Sequence, residues 1–123
     1  MTRRILSLIL LLAALAAFAF AADVTGTWKA TFDTQVGQQE YTYTFKQEGT
    51  KLTGKAVSAF AKAETPITEG SVVGDDITFV EELNYEGMPL HIVYKGKING
   101  NEIKFVRDMS GIANEEATAT KQP

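Results

Sequence analysis

The stretch ITEGSVVGDDITFVEE, residues 67–82, decides the fold, because it recurs as VYKGKINGNEIKFVRD at residues 93–108. The two align without gaps at a shift of 26 positions. Gly70 matches Gly96, Gly74 matches Gly100, and Ile77, Phe79 and Val80 match Ile103, Phe105 and Val106. Within each copy apolar residues alternate with polar ones, the period of a half-buried strand. Gly74-Asp75-Asp76 and Gly100-Asn101-Glu102 interrupt that alternation with a polar turn. Each copy therefore reads as strand, tight turn, strand. A lone hairpin is marginal in water, so the copies must join a larger sheet.

Outward from the repeat, the same period continues. Trp28, Ala30 and Phe32 alternate with polar residues, as do Tyr41, Tyr43 and Phe45. Shorter runs at 52–58 and 115–121 complete eight predicted strands, with another tight turn at 48–51. No stretch carries a convincing amphipathic helix; residues 58–64 suffice for one turn. Up-and-down connectivity puts the turns at 48–51, 74–76 and 100–102 at one end. Longer connections at 33–39, 59–66, 84–89 and 110–114 fall at the other. The expected fold is an all-β, eight-stranded antiparallel up-and-down barrel with a tight floor and a looser mouth, since closure removes edge strands. A flat antiparallel sandwich is the alternative.

The N-terminus reads differently. Arg3 and Arg4 precede a long apolar run ending in Ala19-Phe20-Ala21. That is the pattern of a signal peptide over residues 1–21, leaving a barrel domain at 22–123. The expected location is secreted or periplasmic. Residues 22–123 hold nine Lys, Arg107 and 15 acids, so 10 − 15 gives a net charge of −5. Nucleic acid and anionic membrane surfaces are poor partners for such a chain. The absence of cysteine excludes a disulfide framework and a thiol nucleophile. One histidine and no cysteine give no basis for a metal or cofactor site, and none is expected. Glu81, Glu82, Glu86 and Asp108 lack the spacing of a calcium loop, so a solvated acidic rim is the default reading.

Gly26-Thr27-Trp28 resembles the Gly-x-Trp opening of the lipocalin and calycin group of small barrels. The resemblance extends over about residues 24–121. It implies that Trp28 closes the barrel floor and that Lys121, in the place of the usual arginine, packs over it. The chain is shorter than a typical lipocalin and lacks that family's C-terminal helix and disulfides. A second stretch, residues 32–39 followed by Tyr41 and Tyr43, is similar to short exported bacterial proteins, some labelled glycoside hydrolase or xylanase. That resemblance implies a polysaccharide as a possible partner.

With Trp28, Tyr41 and Ile77 facing inward, two charges share the interior, Glu81 and Arg107, at equivalent positions of the repeat. Tyr94 lies on the strand between them. One reading is a buried Glu81–Arg107 ion pair closed off by a tyrosine hydroxyl. The other gives the forked donors of Arg107 to a ligand carboxylate. Tyr41, Tyr43 and Tyr94 would supply aromatic walls for a small amphiphile or a sugar ring. The small residues Ala30, Gly54, Ala56, Gly70 and Gly96 fit either a cavity or close packing of the aromatics. For catalysis Glu81 is a weak candidate acid, with Asp33 or Glu40 as its partner in a glycoside hydrolase. His91 has outward parity and no adjacent nucleophile. Outward Val80, Val93 and Val106 could form a weak dimer face.

The leading expectation is a barrel that binds a small amphiphilic or sugar-like ligand at its open end. The alternatives are a polysaccharide-associated module or small glycoside hydrolase, and an interaction domain with a filled interior.

Overall fold

Alternation in sequence becomes alternation in burial. In β7 (Glu102–Met109) Ile103, Phe105 and Arg107 are buried, while Glu102, Lys104 and Val106 face solvent. The computed structural model describes residues 23–35 and 37–123; the leader assigned to residues 1–21 lies outside the described residues. Seven further strands precede and follow β7: β1 (Gly26–Thr34), β2 (Gly37–Glu48), β3 (Lys51–Ser58), β4 (Ala63–Val73), β5 (Asp76–Tyr85), β6 (Met88–Asn99) and β8 (Ala113–Lys121). Each pairs antiparallel with its sequence neighbour, and β8 returns to β1 to close the barrel. The sandwich alternative is thereby excluded. The closing seam is short, pairing Trp28 with Lys121, Lys29 with Thr120 and Ala30 with Ala119.

At the floor the hairpins turn on Gly49, Gly74 and Gly100, with φ of 62°, 62° and 60°. A glycine at the first central position suits a two-residue hairpin, whose twist matches the flanking strands. At the mouth the connections are shorter than expected. Strands continue through polar residues, pairing Phe32 with Gln39, Val57 with Glu64 and Asn84 with Pro89. Main-chain groups need partners whatever their side chains, so a ladder runs on past the last apolar residue.

Two bends let the sheet close on itself. Pairing slips between Leu52 and Lys55 and between Thr68 and Ser71. At the first slip Gly54 has φ of 148°, and a Cβ there would lie 1.9 Å from the Thr44 carbonyl oxygen. The backbones approach because no side chain stands between them. Gly54→Ala is expected to lower stability by about 1–3 kcal/mol, measured by urea unfolding. An unchanged midpoint would mean that the bend is not under this constraint.

Inside, the barrel is filled from its floor up to the level of Tyr94. Trp28, Tyr43, Phe45, Phe79, Tyr94 and Phe105 are all buried. Phe79 and Tyr94 stack with ring centroids 4.3 Å apart. A Cβ on Gly96 would sit 2.7 Å from Phe105 Cδ1, so here smallness serves packing and leaves no hole. The outward valines do not make a continuous exposed stripe. Val80 is buried and Val93 half-buried, leaving Val106 exposed. Val106 stands opposite Lys95, off the Val80–Val93 pair.

Candidate functional site

The repeat places Glu81 on β5 and Arg107 on β7, with Tyr94 of β6 between them. Tyr94 is directly opposite both Phe79 and Arg107 in the ladder. Inward residues of β7 run Ile103, Phe105, Arg107, Met109 from floor to mouth, so Arg107 caps the aromatic core. Its guanidinium carbon lies 3.7 Å from the Phe32 ring centroid and 4.7 Å from that of Tyr41. Such stacking suits a weakly hydrated planar cation.

The expected direct Glu81–Arg107 ion pair is not formed among the described residues. Arg107 pairs with Glu115, which faces it across the β7–β8 ladder. Arg107 Nε donates to Glu115 Oε1 at 2.8 Å, and Nη2 lies 2.7 Å from the same oxygen. Arg107 Nη1 donates to the Tyr94 hydroxyl at 3.0 Å, and Nη2 reaches Gln39 Oε1 at 3.5 Å. Every nitrogen of the guanidinium is therefore engaged within the protein. A neighbour directly across a ladder outcompetes one two strands away, because it meets the fork without stretching either side chain.

Glu81 joins the network from the other side. The Tyr94 hydroxyl donates to Glu81 Oε1 at 2.8 Å and accepts from Tyr43 at 2.9 Å. Thr65 donates to Glu81 Oε2 at 3.1 Å. Arg107, Glu81, Tyr94 and Tyr43 thus form one buried polar layer. Among the described residues the Tyr41 hydroxyl, buried beside them, has no hydrogen-bond partner.

Electrostatics follow from burial. Desolvation pushes the Glu81 carboxyl above its ordinary 4.5, only partly offset by the Tyr94 hydrogen bond and the Arg107 charge. Desolvation likewise drives Tyr43 and Tyr94 well above the usual phenol range. Burial opposes the Arg107 charge, but the surrounding tyrosine oxygens, Tyr94 foremost, push its pKa up overall.

A raised carboxyl pKa means that the folded state holds a proton the unfolded chain has released. The Glu81 contribution is therefore complete below about pH 4.5 and is lost as pH rises through the higher folded value. Glu81→Gln is expected to remove that decline, so that the variant equals or exceeds the parent in stability at pH 8. Urea midpoints of both proteins from pH 4 to 8 check this; parallel profiles would refute it.

Above the polar layer the barrel opens into a cavity of about 210 Å³. Leu83, Leu90 and Met109 wall it, while Gln39, Ser58 and Glu115 bring polar atoms to it. Phe60, Met88 and Ile112, exposed by 43%, 50% and 66%, stand around its entrance. Phe60 stacks on Tyr85 at 5.8 Å. These rim side chains sit at or beside turns, where no periodicity marks them, so sequence patterning missed them.

None of the residues expected to touch ligand lines this cavity. Arg107, Glu81, Tyr94, Tyr43 and Tyr41 lie in the buried layer beneath it. Of the proposed acid partners, Asp33 and Glu40 are exposed with outward parity. His91 is also exposed, beside Glu82. Trp28 and Lys121 are at the opposite end. The Trp28 Nε1 donates to the Val24 carbonyl at 2.9 Å, and Lys121 Nζ lies 5.9 Å from the ring centroid. Among the described residues no group of three or more His, Asp or Glu is arranged to hold a metal ion.

Comparison of the chain with protein-family models, curated proteins and solved structures finds no match.

Proposed function

We propose that the protein is an exported binding protein that takes a small, largely apolar molecule into the open end of its barrel. The cavity between Leu83, Leu90 and Met109 carries this reading, because its apolar walls continue into an exposed apolar rim. Exposed aromatic and aliphatic side chains gathered at a concave opening are the surface signature of an apolar ligand. Export rests on the leader pattern at residues 1–21. The closed eight-stranded topology, with Lys121 over Trp28, supports a calycin-like assignment.

The size of the opening sets the size of the ligand. At about 210 Å³ the cavity is smaller than the sites that take drug-sized molecules, and it suits a short ligand. Thermal unfolding against a panel of short amphiphiles, aromatic acids and oligosaccharides tests the reading. A ligand at a hundred times its dissociation constant stabilises by about 2.7 kcal/mol, a rise on the order of 10 °C for a domain of this size. Ala113→Phe, which introduces a ring at the cavity wall, is expected to abolish the rise. A rise that survives Ala113→Phe would move the binding site elsewhere.

A further inference from the structure

Resting on that reading of the cavity, we infer that the ligand carries a primary ammonium group, seated on Glu115, at the end of a short apolar body. The inference begins with what the cavity offers a head group. Glu115 is the one carboxylate among the described lining residues, and the one side chain there that carries a charge at neutral pH. Its Oε1 takes both contacts from Arg107, and no hydrogen bond among the described residues reaches its Oε2. The side chain is nine-tenths buried and lines the cavity, so that second oxygen reaches solvent only through the cavity. It is a charged acceptor without a donor, held in place by a guanidinium that cannot turn away.

Arg107 itself is closed to a ligand. It is fully buried, and its three nitrogens already serve Glu115, Tyr94 and Gln39. A carboxylate head entering the cavity would therefore meet Glu115 with no free cation to receive it, and like charges at close range repel. An ammonium has three donors. Glu115 Oε2 accepts one; Gln39 Oε1, which takes a long contact from Arg107, and Ser58 Oγ, which already accepts from the Ala61 amide, each keep one further lone pair on the same lining. Charge-assisted bonds of this kind are about twice as strong as neutral ones.

The approach to the cavity has the matching sign. Within two positions of the mouth turns stand Asp33, Glu64, Glu86 and Asp108, four carboxylates against the single lysine Lys62. Such a rim draws cations toward the opening and slows anions. The apolar walls then take the body of the molecule, while the head keeps its partner at depth.

Three probes of equal chain length separate the possibilities: n-hexylamine, 1-hexanol and hexanoate, each titrated calorimetrically into the purified protein at pH 7 and low salt. The expected order is hexylamine tightest, hexanol weaker by tenfold or more, and hexanoate without measurable binding. Glu115→Gln is expected to bring hexylamine down to the level of hexanol. Should that variant fail to fold, the order on the parent protein decides alone. Hexanoate binding as tightly as hexylamine would overturn the ammonium assignment and leave the cavity standing as an apolar site. Equal affinity for hexylamine and hexanol would overturn it in the same way. Failure of all three probes would overturn the ammonium assignment and count against the cavity reading too. Aromatic or oligosaccharide ligands that stabilise the parent but not Ala113→Phe would then show the cavity to be a site for another class.

Discussion

Arg107→Met is expected to lower the unfolding free energy by about 3–5 kcal/mol, the usual result of removing one partner from a buried ion pair. Methionine matches much of the arginine stem, so the loss comes from charge more than from volume. Glu115 would be left nine-tenths buried without its cation, and Tyr94 would lose the donor that polarises its hydroxyl. Against a typical total stability of 5–15 kcal/mol this is a large fraction. The decisive comparison is with the double variant Arg107→Met, Glu115→Leu. Removing both charges leaves Tyr94 still bonded to Glu81 and Tyr43, so most of the stability should return. Equal losses in the single and double variants would mean that the guanidinium stabilises chiefly by stacking on Phe32 and Tyr41.

Trp28→Ala is expected to cost about 3–5 kcal/mol by opening a cavity at the floor of the barrel. Trp28 is fully buried, and β1 meets β8 at only three residue pairs, of which Trp28–Lys121 is one. Loss of the ring would thus weaken the closing seam as well as the core. Trp28→Phe should cost less, since it keeps an aromatic body and forfeits the bond from Nε1 to the Val24 carbonyl. Trp28 is the single tryptophan of the chain, so unfolding of both variants is followed by circular dichroism. A loss below 1 kcal/mol in Trp28→Ala would contradict the role of this residue in closing the floor.

Strand number, pairing order and the inward face were legible because they depend on side-chain period, which one repeat of 26 residues displays twice. The mouth was less so. Residues 37–40 are polar or glycine and residues 63–66 mix Ala63 and Pro66 with Glu64 and Thr65, so neither stretch shows a hydrophobic alternation, yet their backbones extend β2 and β4. Glu115 was missed as the partner of Arg107, although its parity along β8 matches that of Ala117, Ala119 and Lys121. Reading that parity together with the turn at 110–112 would have set Glu115 opposite Arg107. Sequence equivalence within the repeat drew attention to Glu81 instead, which stands two strands away. The rim residues Phe60 and Ile112 lie in turns at 59–62 and 110–112, and only the folded chain brings them to one opening.

The central claim is that the open-end cavity is where ligand binds. Methyl-resolved NMR titration with the amphiphile giving the largest thermal shift tests it most directly. Saturable changes concentrated on Leu83, Leu90 and Met109, with Val80, Val93 and Val106 unmoved, are the predicted result. Changes confined to those outward valines, or none that saturate, would contradict it.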